Sequence, residues 1–282
     1  MKRLLLAITC FVSLGTAVFA QNRSCCTVAS MDGMNQFSSD PAFKRAHKNP
    51  KTFTLMNAAG TMIQFPTADG KKGNGYLIKA SVATNRYVFV YQEWWGLNDY
   101  IKKESDKIYS DLGGKVNVIA VDLYDGKVAA NRDSAKVYMG AASPERITTI
   151  INGAFTYAGS KAEIVSIGWC FGGGWALQSS ILAGDKSKGT VIYYGSPEKD
   201  PAKIATLKGD VLGIFATKDK WINAEVVGEF EKNLKASGKK YTIKQYDADH
   251  GFANPSNPIY DKKYTDEAYA LSLAFIKKAF GV

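Results

Sequence analysis

From residue 51 onward, short runs rich in β-branched and aromatic residues alternate with amphipathic stretches. The runs at 75–80, 86–91, 116–121, 164–168, 190–194, 211–216 and 241–246 predict strands. Two of them are almost wholly apolar: 116–121 is interrupted only by Asn117, and 211–216 carries no charge, as expected of strands covered on both faces. Helical spacing of apolar positions falls at 99–112, 129–140, 144–157, 175–183, 224–237 and 265–280. Gly113-Gly114, Gly140, Gly184 and Gly238 supply helix stops. Strand and helix in alternation predict an α/β fold, a mainly parallel sheet flanked by helices on both faces. Such sheets carry their chemistry at the carboxyl ends of the strands, so the loops that follow each strand are the places to look.

The first 50 residues lack this pattern. Lys2-Arg3 precede an apolar stretch over 4–19 and then Ala20-Gln21, the order of a secretory signal peptide cleaved after Ala20. The stretch is shorter than the roughly 20 residues of a membrane span. An exported protein, periplasmic or secreted, with no stable membrane anchor after cleavage is therefore expected. Residues 21–50 are polar and aperiodic and predict an N-terminal extension of low order, which leaves 51–282 as one domain. Loss of Lys2 and Arg3 with the leader would lower the formal net charge from +10 to +8. The lysines are scattered singly or in pairs, without the clustered tract of a nucleic-acid footprint.

Candidate chemistry is limited by residue supply. Only His47 and His250 can provide an imidazole, Cys25 and Cys26 are adjacent near the N-terminus, Cys170 is remote from them, and no CxxC pair exists. This disfavours a metal centre, and no cofactor is expected.

The run Gly168-Trp169-Cys170-Phe171-Gly172 joins the strand at 164–168 directly to a helix. It is a G-x-C-x-G nucleophile elbow, with cysteine in the place of serine. The backbone N–H of Phe171, at the helix N-terminus, is a candidate oxyanion donor, and the same field is expected to lower the thiol pKa. A cysteine nucleophile needs an imidazole base, and the base needs a carboxylate to orient it. Asp219 follows the strand at 211–216 and His250 follows the strand at 241–246, in the order nucleophile, acid, histidine. Asp247 and Asp249 are rivals to Asp219. After the strand at 86–91 comes Gln92-Glu93-Trp94-Trp95, where the Trp94 N–H is the candidate second oxyanion donor. Glu93 there should be hydrogen-bonded close to the nucleophile, since an unpaired buried carboxylate is costly. All five tryptophans lie within five residues of Glu93, Cys170 or Asp219, and Trp95, Trp169 and Trp221 are expected to wall a substrate pocket, with Trp175 packed beneath the elbow.

On Gln92-Glu93-Trp94-Trp95-Gly96-Leu97-Asn98, Asp122-Leu123-Tyr124, Gly168-Trp169-Cys170-Phe171-Gly172-Gly173, Asp219 and His250-Gly251-Phe252, the chain resembles the dienelactone hydrolases (carboxymethylenebutenolidases) of the α/β-hydrolase superfamily. The resemblance implies a Cys170–His250–Asp219 triad without a cofactor, hydrolysis of a small lactone or activated ester through an acyl-thioester, and a role for Glu93 in controlling the protonation of the thiol. It also leads one to expect an arginine for a substrate carboxylate shortly after the histidine, where this chain has Asn254. Replacement of His250, but not of His47, is expected to silence such an enzyme. A non-catalytic binding protein on the same scaffold, or a thiol redox protein using Cys25-Cys26, are the alternatives.

Overall fold

A computed structural model describes residues 37–282 of the chain. The leader expected at 1–20 and the Cys25-Cys26 pair lie outside the described residues. Eight strands form one sheet in the order β1-β2-β4-β3-β5-β6-β7-β8. They are β1 (Thr61–Pro66), β2 (Lys72–Ile78), β3 (Arg86–Tyr91), β4 (Asn117–Asp122), β5 (Glu163–Trp169), β6 (Ser187–Tyr193), β7 (Asp210–Ala216) and β8 (Tyr241–Tyr246). From β4 to β8 every neighbouring pair is parallel, while β1 and β2 join antiparallel at one edge. The helices are α1 (Pro41–Ala46), α2 (Asp99–Asp111), α3 (Arg132–Ala141), α4 (Pro144–Ala158), α5 (Phe171–Ala183), α6 (Pro201–Ile204), α7 (Ala224–Ala236) and α8 (Lys262–Phe280). None of the described helices is long and apolar enough to cross a membrane.

Sequence pattern and fold agree on the seven strands expected, with shifts of a few residues. The strand β1 has no counterpart in the pattern because it is an edge: only Phe65 on it is buried, and Pro66 ends it. The helix expected from residue 175 begins at Phe171 instead. Three successive glycines make a poor helix start by propensity, but nearly the whole of α5 is buried and packs on β5, β6 and β3, so tertiary contact decides its conformation.

Low order does not extend over the described part of the N-terminal extension, which corrects the sequence reading for residues 37–50. Asp40 caps α1 by accepting from the Ala42 N–H at 2.7 Å, and Pro41 opens the helix. Phe43 is fully buried in the main core. Trp221 Nε1 donates to Asp40 at 3.0 Å, and Arg132 donates to the Lys44 carbonyl at 2.8 Å. Buried Phe43 and long-range hydrogen bonds from Trp221 to Asp40 and from Arg132 to Lys44 and Asn49 order a segment whose polar, aperiodic sequence does not announce it.

Between β5 and α5 the chain turns in one residue, Cys170, at φ 53° and ψ −116°. The turn fits because its neighbours lack side chains. A Cβ on Gly168 would sit 2.1 Å from the Gly172 carbonyl oxygen, and one on Gly172 would sit 2.3 Å from the carbonyl oxygens of both Tyr91 and Gln92. Gly172 thus lets the start of α5 touch the end of β3. Gly172→Ala is expected to destabilise the fold by about 2 kcal/mol or more, since backbone rather than a flexible side chain must give way. Urea unfolding checks this, and stability equal to wild type would contradict it.

Candidate active site

The loops after β3, β5, β7 and β8 converge above the carboxyl edge of the sheet. After β7, Asp219 is held by two backbone donors, the N–H groups of Trp221 and Ile222 at 2.8 and 2.9 Å on one carboxylate oxygen. Its other oxygen accepts from His250 Nδ1 at 2.6 Å. The His250 Nε2 then lies 3.2 Å from Cys170 Sγ. All three side chains are buried. The rivals stand apart: Asp247 pairs with Lys218 at the surface, and Asp249 is exposed.

Burial sets the electrostatics. It works against a charged His250, yet the carboxylate of Asp219 outweighs it and, with Cys170, holds the imidazole well above its ordinary pKa. Asp219 is destabilised by burial as well, but the His250 charge and the two backbone N–H groups keep it below the usual carboxylate range. The Cys170 thiol is pushed up, not down, because burial exceeds the opposing effects of His250 and the Phe171 N–H, and the charge of Glu93 adds to the rise. The lowering expected from the helix N-terminus is therefore overturned by desolvation. The result is a thiol of weakened acidity within 3.2 Å of an imidazole of raised basicity.

Glu93 is buried between two donors. Asn254 Nδ2 donates to one of its oxygens, and the Tyr194 hydroxyl donates to the other at 3.4 Å. Burial lifts its carboxyl to about 7 against the pull of His250, Asn254 and Tyr194. The amide in the position where an arginine was expected is thus engaged with this acid. Trp95 and Trp169 line a cavity of about 60 Å³ together with Glu93, Glu104, Tyr193 and Asn254, and no lysine or arginine is on its wall. Trp221 is not on that wall; its ring packs edge-on against His250 and Phe43. Trp94 is fully buried, edge-on to Phe43 and His47, and Trp175 is buried next to Phe171.

Sequence reasoning missed four contributors. His47, expected in a low-order extension away from the site, lies with its ring centroid 5.3 Å from that of His250 and is buried. Its Nδ1 donates to the Phe43 carbonyl at 2.8 Å, and burial, reinforced by the charge of His250, depresses its pKa to about 3. Phe43 stacks on His47 with its ring centroid 5.8 Å from that of His250, and Cys170 is only 2% exposed. Tyr194, at φ 36°, is the residue that follows β6, and its position after a strand was a signal that could have found it. Asn254 was noted only as a departure. No periodicity marks His47 or Phe43, because a single buried turn carries none.

The eight-stranded, mostly parallel sheet flanked by helices is an α/β-hydrolase fold. Residues 74–280 match the model of the dienelactone hydrolase family, and the chain belongs to that family, a group of carboxylic ester hydrolases. A relative in Aquifex aeolicus, provisionally named a carboxymethylenebutenolidase, is 26% identical over 238 residues, 77% of this chain and 98% of that one. Among solved structures, a Klebsiella pneumoniae protein provisionally described as a dienelactone hydrolase superposes with a TM-score of 0.64 at 19% identity, covering 78% of this chain and 99% of its own. A dienelactone hydrolase-like promiscuous phosphotriesterase from metagenomic libraries gives a TM-score of 0.64 at 18% identity, with the same coverage of 78% and 99%. At these identities the structural likeness concerns the fold.

Two outcomes follow from the burial of the site. The raised pKa of Glu93 favours the native state fully below the ordinary value of 4.5, and that contribution is lost as pH rises through about 7. Glu93→Gln, which cannot ionise, should lack this decline, worth about 1–3 kcal/mol. Urea unfolding across that pH range reads it, and parallel profiles for the two proteins would contradict it. Phe43→Ala should speed alkylation of Cys170 by iodoacetamide about tenfold or more by opening the N-terminal side; an unchanged rate would show that Phe43 does not control access.

Proposed function

We propose that the protein hydrolyses electrically neutral, activated esters or lactones through an acyl-thioester on Cys170. The observation that carries this reading is the unbroken buried relay from Asp219 through His250 to Cys170, with steps of 2.6 and 3.2 Å. In the first half-reaction His250 takes the thiol proton while Sγ attacks the carbonyl carbon. The oxygen that becomes negative is met by the backbone N–H groups of Phe171 and Trp94. The C–O bond then breaks, His250 gives its proton to the leaving oxygen, and the acyl group stays on sulfur. In the second half-reaction His250 removes a proton from water, which attacks the thioester and restores the thiol. Asp219 keeps its proton-accepting geometry throughout and stabilises the imidazolium.

Chemistry and charge narrow the substrate. A tetrahedral intermediate on sulfur expels thiolate more readily than a simple alkoxide, which favours enol lactones and aryl esters with stabilised leaving groups. The cavity wall has two carboxyl groups, Glu93 and Glu104, and no cation, so it disfavours a substrate carboxylate. The leader read at 1–20 supports an exported enzyme.

Cys170→Ala is expected to lower turnover of a neutral p-nitrophenyl ester by at least about a thousandfold. A variant retaining most activity would overturn the assignment. On the wild type, kcat/KM for p-nitrophenyl butyrate should exceed that for the p-nitrophenyl monoester of succinate by about tenfold or more. Equal values would contradict the charge argument.

A further inference from the structure

The second imidazole in the site has no part in the relay. One ligand atom each from His47, Cys170 and His250 lies within 4.8 Å of the other two, and all three residues are buried. They come from three separate places in the chain: the end of α1, the elbow, and the loop after β8. In a tetrahedral zinc site, bonds of about 2.0–2.1 Å to nitrogen and 2.3 Å to sulfur put the ligand atoms about 3.5 Å apart. The Cys170–His250 contact, at 3.2 Å, is already close to that, and the distances from His47, 4.8 Å at most, need to shorten by no more than about 1.3 Å to reach it.

The surroundings of the two rings match what a metal ligand needs. A ligating histidine holds its other ring nitrogen on a carboxylate or a backbone carbonyl, which fixes its tautomer and orientation. His250 has Asp219 on Nδ1 at 2.6 Å, and Asp219 is itself fixed by two backbone N–H groups. His47 has the Phe43 carbonyl on Nδ1 at 2.8 Å, which leaves the lone pair on Nε2. A thiolate with two imidazoles is a soft to borderline donor set, suited to zinc rather than to magnesium or calcium.

We propose that His47, Cys170 and His250 form a zinc-binding site, with the fourth position open to water, and that zinc bound there inhibits the enzyme by engaging the nucleophilic sulfur and the base together. Coordination forms a Zn–S bond in place of the S–H bond, and the proton passes to solvent. No electron transfer is involved. Folding of the 37–47 segment sets His47, expected in a low-order extension, beside His250 and offers a metal ion both imidazoles of the chain.

The test uses the purified chain after treatment with a chelator. Zinc is titrated against a chromophoric zinc indicator, and cobalt(II) is titrated separately as a spectroscopic substitute. Wild type should take up one zinc per chain, and the cobalt form should show a thiolate-to-cobalt charge-transfer band that Cys170→Ala lacks. His47→Phe keeps an aromatic ring against Phe43 and Trp94 but removes the ligand nitrogen, and should weaken zinc binding by at least about tenfold. His47→Gln, which keeps a polar side chain, should do the same and serves if the first variant folds poorly. Turnover of an aryl ester by wild type should fall as zinc binds and return on chelation. Unchanged zinc affinity in both His47 variants, or a cobalt form without the thiolate band, would overturn the proposal. The binding and spectral readouts do not require hydrolysis, so a failure of the ester-hydrolase reading would show separately.

Discussion

The contact on which the site depends is a backbone-to-backbone approach that only glycine permits. Where Gly172 lies against the carbonyl oxygens of Tyr91 and Gln92, the first turn of α5 meets the end of β3, and no space remains for a side chain. That approach sets Cys170 beside the loop carrying Glu93 and Trp94. Gly168 meets the same turn from the strand side, and the Cys170 N–H donates to the Tyr193 carbonyl at 2.9 Å. A residue at φ 53° bears strain, and here it is held from β5, β6 and α5 at once. The nucleophile's position is thus a consequence of how the sheet and one helix pack.

The second determinant is exclusion of water. With Phe43 and His47 over the relay, every ionisable group in the site is displaced from its ordinary pKa, and the direction is decided by whether a partner of opposite charge is within reach. Asp219 and His250 have each other, which holds the carboxyl pKa down and the imidazole pKa up. Cys170, Glu93 and His47 do not have enough compensation, and burial favours their neutral forms. The same packing that excludes water brings a second imidazole, that of His47, to the sulfur.

Much of this was legible in the sequence, for physical reasons. Buried parallel strands must be apolar on both faces, so β4 and β7 announce themselves, and the elbow is visible because a one-residue turn needs glycines at fixed positions. Asp219 and His250 could be paired because the fold places both after strands in a known order. The edge strand β1 was hidden because solvent tolerates any residue on its face. Trp221 was read as a pocket residue from its sequence proximity to Asp219, and its ring lies against Phe43 and His250. His47 was the largest miss. Its segment is ordered by one buried phenylalanine and a few long-range hydrogen bonds, and such contacts leave no period and no motif in the chain.

The proposed hydrolysis requires covalent acylation of Cys170. It is tested most directly by mixing the wild-type enzyme with an aryl ester, quenching in acid during turnover, and reading the intact and digested protein by mass spectrometry. An added acyl mass is expected on the peptide containing Cys170, disappearing as substrate is exhausted. Steady turnover with no adduct on that peptide, or with the adduct on another residue, would contradict it.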